Sequence, residues 1–206
     1  MIFNLFKNKD KRAEELASYD TAKEALEEKK TSDKIILAEQ DTTPPEVLYY
    51  LADDQSPDIR VKVAANANTP IQADKILAND ENEEVKHELT RKIARLFPDI
   101  NEEGKTEICE KALEMIEILA NDQLPSVRKL LAEELKSSNS IPKHIALKLA
   151  MDEVPDVSAP ILEYSPLLSD ADLKEIIAAT TLSGALEAIA KRNVLSGDVC
   201  DAIAQT

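Results

Sequence analysis

Tryptophan is absent from the 206 residues, glycine occurs three times and cysteine twice. Aromatic side chains make up only 3%, so the chain is poorly equipped to stack nucleic-acid bases. Gly104, Gly184 and Gly197 stand alone, which excludes a glycine-rich phosphate loop. No Gly-x-Ser-x-Gly nucleophile elbow occurs. Cys109 and Cys200 lie far apart and match neither a metal spacing nor a disulfide framework. They are expected to be reduced, buried thiols of a cytoplasmic protein. The two histidines, His87 and His144, sit among charged neighbours, whereas a metal site needs three or four converging ligands. No apolar run approaches the length that spans a bilayer. No catalytic residue, cofactor or metal is therefore expected, and the chain reads as non-enzymatic.

What remains is rich in helix formers. Apolar residues make up 43% and charged residues 32%, a globular balance. Abundant Ala, Leu, Glu and Lys favour an all-α fold. The net charge is −15, unevenly spread: −1 over residues 1–40, −4 over 41–98 and −10 over 99–206. Such a field repels a phosphate backbone, so nucleic acid is not an expected partner. It attracts a basic protein partner, and it also aids solubility on its own. Paired carboxylates such as Asp53-Asp54 and Glu133-Glu134 read as solvated faces.

A repeat runs through the chain. Leu-Ala-x-Asp occurs at Leu51-Ala52-Asp53-Asp54, Leu77-Ala78-Asn79-Asp80, Leu119-Ala120-Asn121-Asp122 and Leu149-Ala150-Met151-Asp152. Five residues after each final Asp stands a β-branched aliphatic: Ile59, Val85, Val127, Val157. Arg60, Lys86 and Arg128 follow in three copies, and Ser158 in the last. Four residues after the aliphatic comes another apolar residue: Val63, Leu89, Leu131, Ile161. Pro57, Pro125 and Pro155 precede three of the aliphatics, and Glu83 takes that place in the second copy.

This pattern predicts two helices per repeat. The first ends at Leu-Ala-x-Asp. The second opens on proline, whose missing N–H costs nothing at the first helical position, with Ser56 as a candidate N-cap. The aliphatics at i and i+4 then share one helical face. Thr43-Pro44-Pro45, Thr69-Pro70, Ile141-Pro142 and Ser165-Pro166 open the first helices of the repeats. The spacing stretches between Ala78 and Ala120, and Phe97-Pro98-Asp99 predicts a helix end there. The expected organisation is a helical cap over residues 1–40, a first pair of repeats over 41–98, and further repeats with degenerate C-terminal helices over 99–206. Ser169-Asp170-Ala171-Asp172-Leu173 reads as a helix start. Helices are expected near 170–180 and 183–192, with a last short one from Ser196.

Helix pairs with an Asp in the turn and a base on the second helix resemble HEAT repeats. More narrowly, residues 122–135, 149–166, 167–177 and 188–193 resemble a bacterial family, Domain of Unknown Function 2336. The resemblance spans residues 40 to 206. It implies an α-solenoid, a superhelix of antiparallel helix pairs, and offers no catalytic residues. Relatives of this kind continue into further repeats, so either a short member or a chain continuing past Thr206 is expected.

Two sets of residues are functional candidates. Asp54, Arg60, Asp80, Lys86, Asp122 and Arg128 recur in register. They read either as a structural ladder of ion pairs between repeats or as a charged stripe for a partner. Ile2, Phe3, Leu5 and Phe6, followed by Lys7, Lys9, Lys11 and Arg12, read either as a weak membrane-surface or partner-docking segment or as a segment folded onto the first repeat. The function expected is a protein-binding or scaffold module. The alternatives are an enzyme of the HEAT-like glycosylase type, disfavoured by acidity, and a self-assembling structural element.

Overall fold

The computed structural model describes residue 26 and residues 31–102, 106–179 and 184–206. Among them are twelve helices and no strand. They are α1 (Thr31–Glu39), α2 (Pro45–Leu51), α3 (Pro57–Ala65), α4 (Ile71–Leu77), α5 (Glu83–Glu102), α6 (Thr106–Ala120), α7 (Pro125–Leu135), α8 (Lys143–Ala150), α9 (Pro155–Tyr164), α10 (Asp170–Ala179), α11 (Ala185–Ala190) and α12 (Gly197–Ala204). The chain divides into two compact units, Met1–Lys92 and Ile93–Thr206. The division falls inside α5.

Proline sets many of the helix starts. Pro45, Pro57, Pro125 and Pro155 occupy the first turn of α2, α3, α7 and α9, where no backbone donor is lost. Pro70 and Pro142 are the N-caps of α4 and α8. Pro166 behaves differently. It lies in a turn, and α10 starts four residues later. There the Ser169 N–H donates to Asp172 Oδ2 at 2.7 Å, and the Asp172 N–H donates back to Ser169 Oγ at 3.4 Å. This is a reciprocal capping pair of the kind expected from that sequence.

In each unit the helices pack on a neighbour in sequence, on the next helix but one, or on both. In the first unit α1 packs on α2 and α3, α2 on α3 and α4, and α3 on α4. In the second unit α7 packs on α9 and α9 on α11, while α6 packs on α8 and α10 on α12. The twelve apolar residues of the four motif copies form the centre of this packing, none more than 1% exposed. Burial stabilises by about 1.5–3 kcal/mol for each large aliphatic side chain. Ala52, Ala78, Ala120 and Ala150 are buried too; their small side chains let neighbouring helices approach closely.

Two prolines lie inside helices. α5 does not end at Phe97-Pro98-Asp99 but carries through Pro98 to Glu102. An internal proline costs about 3 kcal/mol through a lost hydrogen bond and a clash. Ile93, Ala94 and Phe97 are buried in the preceding turn and offset that cost. Pro160 in α9 is itself buried beside Val157, Ile161 and Leu162.

Candidate functional site

The four motif aspartates do the same local work. The Oδ1 atoms of Asp54, Asp80, Asp122 and Asp152 accept from the N–H groups of Ser56, Asn82, Leu124 and Val154, at 2.9, 2.8, 2.9 and 2.9 Å. Each aspartate thus turns the chain from the first helix of a pair to the second, as an Asx-turn does. Ser56 holds the N-cap position of α3, but its side chain makes no capping bond.

The bases then tie one pair to the next. Arg60 donates from Nε and Nη2 to the carboxylate of Asp80, at 2.6 and 2.9 Å, and from Nη1 to the Asp54 carbonyl at 2.7 Å. Arg128 repeats this geometry on Asp152, at 2.6 and 3.1 Å, and on the Asp122 carbonyl at 2.7 Å. Lys34 of α1 reaches Asp54 at 2.6 Å. A planar guanidinium suits this double task, since its fork matches a carboxylate and leaves a further donor free. Ser158, the fourth residue of the series, is buried, with its hydroxyl facing the Val154 carbonyl at 3.5 Å. Burial opposes ionisation of Asp54. The Lys34 ammonium, the Ser56 N–H and Arg60 outweigh it and hold that carboxyl below its ordinary range. Asp152 is likewise disfavoured by burial, yet lowered on balance by Arg128, the Val154 N–H and Lys148.

A second series closes the C-terminal ends of the second helices. Asn66, at the end of α3, donates from Nδ2 to the carbonyls of Ala38 and Gln40, both at 2.9 Å. Its own carbonyl accepts from Lys92 Nζ at 3.2 Å. Lys92 also pairs with Asp74 at 2.5 Å, with each side chain only 5% exposed. Burial pushes the Asp74 carboxyl up to about 6 against the pull of Lys92. It pulls the Lys92 ammonium down. Arg192 closes α9 in the same manner, donating to the carbonyls of Leu162 and Ser165 at 2.7 and 2.9 Å. Thr43 and Thr69 donate their hydroxyls to the carbonyls of Leu37 and Val63, each at 2.6 Å.

The sequence candidates therefore separate. Asp54, Arg60 and Asp80 come together in the first unit. Asp122 and Arg128 come together in the second, with Asp152 as the carboxylate partner. Lys86 occupies on α5 the register position of Arg60 and Arg128. Ile2, Phe3, Leu5 and Phe6 lie outside the described residues, as does the cap expected over residues 1–40 apart from residue 26 and residues 31–40, which hold α1. The expectation of two buried thiols fails: Cys109 is half-buried and Cys200 exposed, because each falls on the flank of its helix rather than on the packed stripe. His144 is exposed and lies 3.1 Å from Glu117. Among the described residues no group of three or more His, Cys, Asp or Glu could hold a metal ion.

Sequence reasoning missed a groove in the first unit. It has a volume of about 870 Å³. Tyr49 and Tyr50 of α2 and Ile76 of α4 form its apolar wall; Lys34 and Asp54 stand among its lining, with Glu46 and Asp53 beside them. Tyr49, Tyr50 and Ile76 are 48%, 60% and 37% exposed. Tyr50 and Ile76 each directly precede a motif leucine, Leu51 or Leu77, so they hold the same place in successive repeats.

Residues 157–206 match a family described as an uncharacterised protein conserved in bacteria, DUF2336. The matched stretch runs from within α9 to the end of the chain. It takes in the resemblances at 167–177 and 188–193, overlaps that at 149–166 and begins after that at 122–135. No curated protein matches the chain. No helix among the described residues is long and apolar enough to cross a membrane.

Proposed function

We propose that this chain is a non-enzymatic, cytoplasmic binding module of the HEAT-like α-solenoid type, whose likeness to the bacterial family extends back from residue 157 to about residue 40. One observation carries the reading. Two successive first helices, α2 and α4, leave Tyr50 and Ile76 exposed at the same register position while every motif apolar beneath them is buried. A contiguous exposed apolar surface on an otherwise polar protein marks an interaction site. The Asp–Arg contacts serve this function indirectly by holding neighbouring helix pairs in fixed register. The ligand class favoured is protein, since the −15 charge disfavours nucleic acid.

Affinity co-purification from a bacterial lysate tests the reading, with the full chain compared with one lacking residues 1–12. A stoichiometric protein retained by both forms supports binding by the repeats. Retention by neither form of any protein above background overturns it, and loss with the first twelve residues moves binding to that segment.

A further inference from the structure

The groove of the first unit has a charge and ring pattern that selects its occupant. Its apolar wall is Tyr49, Tyr50 and Ile76. Among the described residues lining it the one base is Lys34, already paired with Asp54 at 2.6 Å. Glu46 and Asp53 are exposed and form no ion pair among the described residues. Among the described residues the lining therefore offers two exposed carboxylates outside any ion pair, beside two tyrosine faces. Elsewhere in the molecule Lys136 stands over the exposed ring of Tyr164, 4.9 Å from its centroid. Among the described residues no such cation stands over Tyr49 or Tyr50. A cation over a tyrosine face is stabilised by the ring quadrupole and more so beside a carboxylate.

We propose that this groove takes a short segment of a partner protein in which an arginine or lysine is flanked by apolar residues. The basic side chain lies over Tyr49 or Tyr50 and pairs with Glu46 or Asp53. The apolar neighbours pack against Ile76 and the remaining tyrosine. This assignment rests on the binding-module reading and names the partner chemistry for it. A co-purified partner that is not basic would sink the assignment and leave that reading standing.

The test is selection of a random dodecapeptide library displayed on phage against the full chain. Counter-selection uses Tyr50→Ala/Ile76→Ala, two exposed positions whose change leaves the packed interior intact. A third protein, Glu46→Gln/Asp53→Asn, keeps the apolar wall and removes the charge. The expected result is enrichment of peptides with Arg or Lys between apolar residues. That enrichment should fall about tenfold or more on the apolar-wall variant, as for a buried aromatic anchor. The charge variant should retain the apolar preference and lose the basic one. Acidic or uncharged winners, winners indifferent to both variants, or no enrichment overturn the proposal. Winners matching residues 2–12 of this chain also overturn it, by making its own segment the occupant.

Discussion

Arg128 grips both carboxylate oxygens of Asp152, at 2.6 and 3.1 Å, while its third donor holds the carbonyl of Asp122, 2.7 Å away. One side chain thus joins the turn that precedes its own helix to the turn of the next pair. Arg60 does the same between Asp54 and Asp80. The base is useful here because it is forked as well as charged.

Arg60→Lys is expected to destabilise the first unit by about 1–2 kcal/mol, because lysine keeps the charge and cannot hold Asp80 at two points while bonding the Asp54 carbonyl. Thermal unfolding followed by circular dichroism measures this. A chain of this size should lose roughly 2–4 °C per kcal/mol. An unchanged midpoint would show the fork to be dispensable.

The buried pair of Asp74 and Lys92 makes a sharper prediction. Lys92→Met leaves the carboxyl of Asp74 buried without its counter-charge and should cost about 3–5 kcal/mol. Replacing both, as Asp74→Leu/Lys92→Met, should recover most of the loss. Urea unfolding of the three proteins distinguishes this from simple additivity, which would make the double variant the least stable.

The pH dependence differs between these carboxylates. Asp74 is raised in the folded chain to about 6 from an ordinary value of 3.8. The folded state therefore binds the proton first as pH falls, and this group's contribution to stability is greatest below 3.8 and lost as pH rises through 6. Asp152 is lowered, so its contribution is present above 3.8 and lost as pH falls through its depressed folded value. Asp152→Asn should flatten the acid limb of the stability curve, and the Asp74→Leu/Lys92→Met variant should change the slope between pH 4 and 6. Urea midpoints across pH 2–7 read both.

Gly184 has φ of +81° at the N-cap of α11. An added Cβ meets nothing within 4 Å, so Gly184→Ala should cost about 1–2 kcal/mol from backbone conformation alone. A neutral result would mean that the chain there adopts another conformation without loss.

Much of this packing can be read from the sequence, because it depends on periods. The motif apolars announce the buried faces, and Asp and Arg recur visibly. The partner of each base is less visible, since Arg60 stands six residues after Asp54 but its carboxylate lies twenty residues on, at Asp80. Lys34 carried a usable signal. It precedes Arg60 by the same 26 residues that separate Arg60 from Lys86, so α1 stands in the register of α3 and α5. Lys92 gave none, because a lysine on an amphipathic helix reads as solvated until the packing of Asp74 against it is known. Pro98 misleads because local chemistry ends a helix that the burial of Phe97 and Ile93 prolongs. The groove stayed hidden in Val47-Leu48-Tyr49-Tyr50-Leu51, a string whose apolarity does not say which two rings face outward.

The central claim is that a base on one helix pair holds the aspartate of the next. A double-mutant cycle on Arg128→Met and Asp152→Leu tests it most directly, with stability measured by urea unfolding. A favourable coupling of about 1.5–3 kcal/mol is predicted, in the range of hydrogen bonds to charged groups. A coupling near zero would contradict the account, leaving the neighbouring pairs held by their apolar faces alone.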